Sequence, residues 1–149
     1  MTDLRAIHRF SGAYEFLSNF YEMPTMILRE GLRYRTVEHA FQAAKTLDDK
    51  LRGKIRDAAT PNQAKKLGRA VKLRSDWNDV RIMVMEDLLR LKFAIPLMRK
   101  KLLDTGDLEL VEGNDWQDRF WGVCDGQGEN QLGKALMRVR DEIRSTARG

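Results

Sequence analysis

The sequence predicts an α+β fold: a single compact, predominantly helical domain with a few short N-terminal strands. Three observations carry that expectation. From Thr36 onward apolar residues return mostly at three- or four-residue spacing, the signature of helices with one buried face. Short strand-like pieces separated by turn residues are concentrated in the first third. No Ser/Pro-rich linker and no internal repeat divides the 149 residues, a length at which one domain buries about two-thirds of the surface its unfolded chain exposes.

In order, residues 6–10, 26–28 and 32–34 read as strands, with Gly12 and the Glu30-Gly31 pair as turn signals between them. Thr36 is an N-cap candidate, and Glu38 then lies in the first turn, where a carboxylate interacts well with the helix dipole. Val37, Ala40, Phe41 and Ala44 make the apolar face of that helix. A second helix is expected from Asp48 or Asp49. A third is expected from Thr60-Pro61, a cap followed by proline at the first helical position. Residues 76–93 form the longest periodic stretch, marked by Val80, Val84, Leu88 and Leu91. Pro96 opens a short helix that Gly106 ends. Residues 108–111 read as one more strand, residues 113–128 as a long loop, and residues 131–146 as a final helix built on Leu132, Leu136, Val139 and Ile143.

Composition narrows the class. Apolar residues at 42% suffice for a core, and charged residues at 33% fit a solvated surface. The net charge of +5, from 27 Lys and Arg against 22 Asp and Glu, favours anionic partners such as phosphate-bearing metabolites or nucleic acid. No apolar run approaches the roughly 20 residues of a membrane helix. The first ten residues carry charges where a signal peptide places its apolar stretch. The single cysteine, Cys124, offers no disulfide framework, so a cytoplasmic, reducing compartment is expected.

Chemistry concentrates in two segments. Glu38, Gln42 and Lys45 stand at i, i+4 and i+7 and share a face opposite Phe41 and Ala44. Seven residues rise about 10.5 Å, so Glu38 and Lys45 are too far apart for a simple salt bridge, but both can reach a ligand lying across the helix. By spacing alone the same face also reads as an ordinary solvated surface. The second segment is the loop Glu112–Gly122, with Trp116 and Trp121 among glycines and acids. Its rings suit stacking on a flat heterocycle and its carboxylates suit ribose hydroxyls, or Phe120 and Trp121 dock the loop on the core. The glycine-rich turn at 126–128, leading into the last helix, is a weaker phosphate candidate. It lacks the Walker spacing. His8, His39 and Cys124 lack the spacing of zinc ligands, and no metal is expected.

Together these segments resemble the NADAR (YbiA-like) family over nearly the whole chain. The resemblance rests on Phe10 and Gly12, on Phe16-Leu17-Ser18-Asn19-Phe20-Tyr21, and on the run from Thr36 to Lys45. It continues through Leu67-Gly68-Arg69, Leu73-Arg74 with Asp76-Trp77, the loop from Gly113-Asn114 to Trp121-Gly122, and Asn130 with Leu132-Gly133. It implies a YbiA-like fold and an N-glycosidase that cleaves ribose C1 from an amino nitrogen without a cofactor. Two substrates are implied: ADP-ribose on the guanine amino group of nucleic acid, for which an ADP-ribosyltransferase would be the counterpart, and the phosphorylated ribosylamino pyrimidines of riboflavin synthesis. The implied catalytic residues are Lys45, Glu38 and Asp118. Asn19, with Asp118, is assigned to the ribose, Trp77 and Trp121 to the base, and Arg69 and Arg74 to phosphate, with Gln42 and Gly122 completing the substrate contacts. Asn114 and Asn130 are expected to hold loops. The alternative is a module that binds ADP-ribose or a nucleotide without cleaving it.

Overall fold

A computed structural model describes residues 5–148. In chain order these form β1 (Ala6–Ile7), a 3-10 helix (Gly12–Leu17), β2 (Ile27–Arg29), β3 (Leu32–Tyr34), α1 (Val37–Ala43), α2 (Asp49–Arg56), α3 (Pro61–Ala70), α4 (Trp77–Phe93), α5 (Pro96–Asp104), β4 (Glu109–Leu110) and α6 (Gln131–Arg148). The predominantly helical character with a few short strands agrees with the sequence reading. The described residues group into two units, Asn19–Lys92 and the remainder on either side of it.

In the unit Asn19–Lys92, β2 and β3 form an antiparallel hairpin that sets Ile27 opposite Tyr34 and Arg29 opposite Leu32. The chain turns at Glu30 and Gly31, both in the left-handed region. The helices start where their caps dictate. The Thr36 hydroxyl accepts from the His39 N–H, the Asp48 carboxylate from Lys50 and Leu51, and the Thr60 hydroxyl from Gln63. Each such cap stabilises its helix by about 1 kcal/mol. α1 packs against α2, α3 and both strands of the hairpin, which explains why every residue of this short helix is buried. In α4 the buried face is Val84, Met85, Leu88, Leu89 and Lys92, whereas Met83 and Leu91 are exposed.

In the other unit β1 pairs with β4 in parallel, Ala6 opposite Glu109 and Ile7 opposite Leu110. The expected strand at 6–10 is thus shorter, and the 3-10 helix follows it. Leu132, Ala135, Leu136 and Val139 give α6 its buried stripe, and α6 packs on α5 and β4.

His39 has an acid-sensitive role in α1. Its Nε2 is 3.0 Å from the Ala58 carbonyl and its Nδ1 is 2.7 Å from the Thr36 hydroxyl. A carbonyl only accepts, so Nε2 carries the proton and Nδ1 accepts from Thr36, which is the neutral ring. Burial holds the His39 pKa below the ordinary 6.5. As pH falls through 6.5 the unfolded histidine takes up a proton before the folded one, so stability is lost on that side. The melting temperature is expected to fall between pH 7 and 5.5, and less steeply in His39→Gln. An unchanged slope in that variant would place the titration on another group.

Candidate functional site

The face carrying Glu38 and Gln42 is not a solvated ridge, and α1 ends at Ala43, so Lys45 follows the helix rather than lying on its face as the spacing suggested. Glu38 is 7% exposed and Gln42 4%, because α3 closes over the face that spacing alone left open to water. A buried carboxylate is costly unless hydrogen-bonded, and Gln42 Nε2 donates to Glu38 Oε1 at 2.7 Å. The backbone N–H of Glu38 donates to the Asn19 carbonyl at 3.0 Å, which ties the segment after the 3-10 helix to the start of α1. Asn19 is itself buried. Its Nδ2 lies 3.5 Å from the Met85 sulfur. Asn19 Oδ1 and Gln42 Oε1 are buried oxygens with no hydrogen-bond partner among the described residues. Orphaned acceptors of this kind cost about 1–3 kcal/mol each, and the sites where they persist are commonly functional.

Gly68 makes this packing possible. A Cβ there would stand 1.9 Å from Gln42 Oε1 and 2.9 Å from Gln42 Cβ. Gly68→Ala is therefore expected to push Gln42 off Glu38, to destabilise the protein by about 1–3 kcal/mol, and to lower turnover in the surviving folded fraction. Thermal melts and rates normalised to folded protein would check this. Wild-type stability and rate in the variant would show that α3 has room to retreat.

Lys45 is half-buried just beyond α1. Its pKa lies below the ordinary 10.5, chiefly because burial disfavours the ammonium; Glu38 opposes the shift, and Arg69 and Lys65 add to it. The amine is thus driven toward its nucleophilic form. Lys65 and Arg69 stand four residues apart on α3, and Lys65 Nζ lies 6.0 Å from the centre of the exposed Phe20 ring. Sequence reasoning gave Arg69 a role, passed over Lys65, and counted Phe20 only as part of a motif. The i, i+4 spacing of Lys65 and Arg69 was the available signal.

The other expected contacts of this unit have partners within the protein. Arg74 grips Asp76 through two hydrogen bonds of 2.6 and 3.0 Å, and its backbone N–H donates to the Lys45 carbonyl at 2.8 Å. Arg74 thus anchors the segment that follows α1 through its backbone while its guanidinium lies against the Asp76 carboxylate. Trp77 is only 6% exposed and packs on Phe41, ring centres 5.1 Å apart. The indole expected to stack on a base is a core residue here.

Asp118, Trp121 and Gly122 belong to the other unit. Asn114 organises their loop: its Nδ2 donates to the carbonyls of Asp118 and Val123, and its Oδ1 accepts from Trp116 and Asp118. Asp118 Oδ1 in turn accepts from the N–H groups of Phe120 and Trp121. One carboxylate oxygen of the expected catalytic residue therefore shapes the turn. Trp121 is half-buried and meets Phe120 edge-on at 4.9 Å. Gly122 is required by packing, since a Cβ would lie 2.2 Å from the Glu112 carbonyl. Asn130 donates to Leu110 and accepts from Glu112, so both asparagines hold loops as expected. In the turn before α6, two of the N–H groups that a phosphate would need are in use: those of Gln131 and Leu132 donate to the carbonyls of Phe120 and Trp121. Cys124 is buried. Among the described residues no group of three or more His, Cys, Asp and Glu gathers as metal ligands would, and no helix is long and apolar enough to cross a membrane.

The sequence profile of the NADAR domain matches residues 8–144. The chain belongs to the NADAR family. It is 38% identical to the N-glycosidase YbiA of Escherichia coli (strain K12) over 89% of this chain and 84% of that protein. It is 41% identical to an N-glycosidase of Nostoc punctiforme, over 89% of this chain and 87% of the relative. A riboflavin biosynthesis protein of Vibrio vulnificus is 42% identical over 89% of this chain, but the match spans only 36% of that longer protein. The solution structure of Escherichia coli YbiA superposes with a TM-score of 0.81 at 33% identity, covering 97% of this chain and 91% of that one. The expected YbiA-like fold is thereby established.

Proposed function

We propose that this NADAR-family chain is an N-glycosidase that hydrolyses the bond between ribose C1 and an exocyclic amino nitrogen, acting first on ADP-ribose attached to the guanine amino group of nucleic acid. The observation that carries the reading is the half-buried Lys45 amine, held below its ordinary pKa and within the electrostatic reach of the buried Glu38. A binding module has no use for such a pair, and the names of the YbiA and Nostoc relatives agree with hydrolysis of an N-glycosyl bond.

The chemistry follows from the amine. In a ribosylamine the nitrogen lone pair expels the ring oxygen, which takes a proton, and C1 becomes an iminium. Neutral Lys45 adds to C1, a proton passes from its nitrogen to the departing one, and the base leaves as a free amine. Water then adds to C1 of the lysine imine, and collapse returns the lysine and releases the sugar as an aldehyde that recloses. In this reading Glu38 moves these protons. The net reaction consumes one water and needs no metal or redox partner. In the competing route Glu38 activates water directly as C1 becomes cation-like.

Lys65 and Arg69 beside Lys45 supply the positive charge that the phosphates of ADP-ribose on a polyanion call for. The Vibrio relative's name favours the second substrate, a ribosylamino pyrimidine 5′-phosphate. Both substrates should be incubated with the protein side by side and the products read by mass spectrometry. Faster release of ADP-ribose from guanine-modified DNA is expected. Faster release of ribose 5-phosphate would move the assignment to the riboflavin precursor. Binding of both without cleavage would leave a reader domain and end the enzyme reading.

A further inference from the structure

The β2–β3 hairpin has an outward face that the chemistry around Lys45 does not use. Ile27 and Tyr34 are paired across the hairpin and point inward, both buried. Side chains alternate along a strand, so the next pair, Leu28 and Arg33, lies on the opposite face, and Met26 and Arg35 follow on that same side. Leu28 is 53% and Met26 48% exposed, large apolar side chains left in water beside arginines. The end of α2 completes a concavity: Met26, Gly31, Arg33, Arg35, Arg56 and Asp57 line a cavity of about 550 Å³.

The lining is strongly cationic, three guanidiniums against one carboxylate. That carboxylate, Asp57, is already taken by Arg56, which donates to it from Nε at 2.9 Å and from Nη2 at 3.4 Å. Arg35 is held in place by donating Nη2 to the Ala58 carbonyl, and Arg33 is exposed. The neighbouring acid, Glu30, is offset by Arg52 and Arg29, so it does not neutralise the lining. Arg35 and Arg56, fixed by these hydrogen bonds, can meet phosphate oxygens with their remaining N–H groups at a reduced entropy cost. Met26, the apolar side chain of the lining, suits the organic part of the same ligand.

We propose that this cavity binds the phosphate of a nucleotide, either free or within a nucleic-acid strand. Arg33, Arg35 and Arg56 take the phosphate and Met26 takes the nucleoside. The site shares no lining residue with the Glu38 and Lys45 arrangement and stands whether or not the chain is a glycosidase.

Amide and arginine side-chain NMR of the 15N-labelled full chain can read the site residue by residue at low ionic strength. The probes are ADP, a thymidine oligonucleotide and sodium phosphate. Saturable shifts are expected at Gly31, Arg33, Arg35 and Arg56. Affinity should fall by on the order of tenfold or more in Arg33→Ala/Arg56→Ala. Arg35 is left intact because it holds Ala58, and the exposed Arg33→Ala alone serves if the double variant does not fold. Saturation by ADP would assign a free nucleotide, and saturation by the oligonucleotide alone a strand. Inorganic phosphate binding as tightly as both would overturn the nucleotide assignment. Shifts confined to residues around Lys45, or undiminished in the variants, would overturn the site.

Discussion

Lys45→Ala is expected to lower N-glycosidase turnover by about 10³-fold or more, because it removes the proposed nucleophile while its half-buried position limits the structural cost. The pH dependence should carry the same signature. Only the neutral amine attacks, so the rate climbs with pH until Lys45 is deprotonated, and its lowered pKa brings that climb closer to neutrality. Arg69 and Lys65 help to lower that pKa. Removing either charge should therefore raise it, move the acid limb of the profile to higher pH and cut the rate at pH 7. Borohydride added during turnover should leave a sugar adduct on Lys45, located by peptide mass spectrometry. Full activity in Lys45→Ala, or turnover that never yields the adduct, would remove the lysine from the reaction and leave direct water attack assisted by Glu38.

How much of this was legible in the sequence depended on whether a residue's role is set locally. Thr36, Asp48, Thr60 and Pro61 act within a few residues of themselves, and the starts of α1, α2 and α3 were readable from them. The long α4 was readable as a helix, but its buried face was displaced from the one the apolar spacing suggested. At about 100° per residue, Lys92 lies near the middle of the arc formed by Val84, Leu88, Met85 and Leu89, and a lysine at the centre of a buried face hides the stripe from any count of apolar residues. Leu91, apolar and exposed, adds to the misdirection. The burial of Glu38 and Gln42 was illegible for a related reason: it depends on α3 approaching at Gly68, a contact 26 residues away that no local pattern encodes. Trp77 and Arg74 show the converse. Their residue types suggested base and phosphate contacts, and no local pattern showed that Trp77 packs on Phe41 or that Arg74 pairs with Asp76. Family motifs pointed to whole segments, while the contacts of each side chain inside a segment are a property of tertiary packing.

Glu38→Gln should separate the two functions proposed for the Glu38 carboxylate. The substitution preserves size in a buried site, and the new side-chain oxygen can still accept from Gln42 Nε2, so the fold of α1 should survive. Loss of proton transfer is expected to reduce kcat by about 10²–10⁴-fold. At the same time the charge that raises the Lys45 pKa is gone, so that pKa should fall further and the acid limb should shift to lower pH. A slower enzyme with a more readily deprotonated lysine is a combination that simple disruption of the site would not produce, since a loosened site admits water and returns the pKa toward 10.5. Rate profiles for wild type and Glu38→Gln measured on one substrate would decide it. A drop in kcat with the limb moving to higher pH would mean that Glu38 acts mainly by holding the site together, and the proton would have to travel through another group.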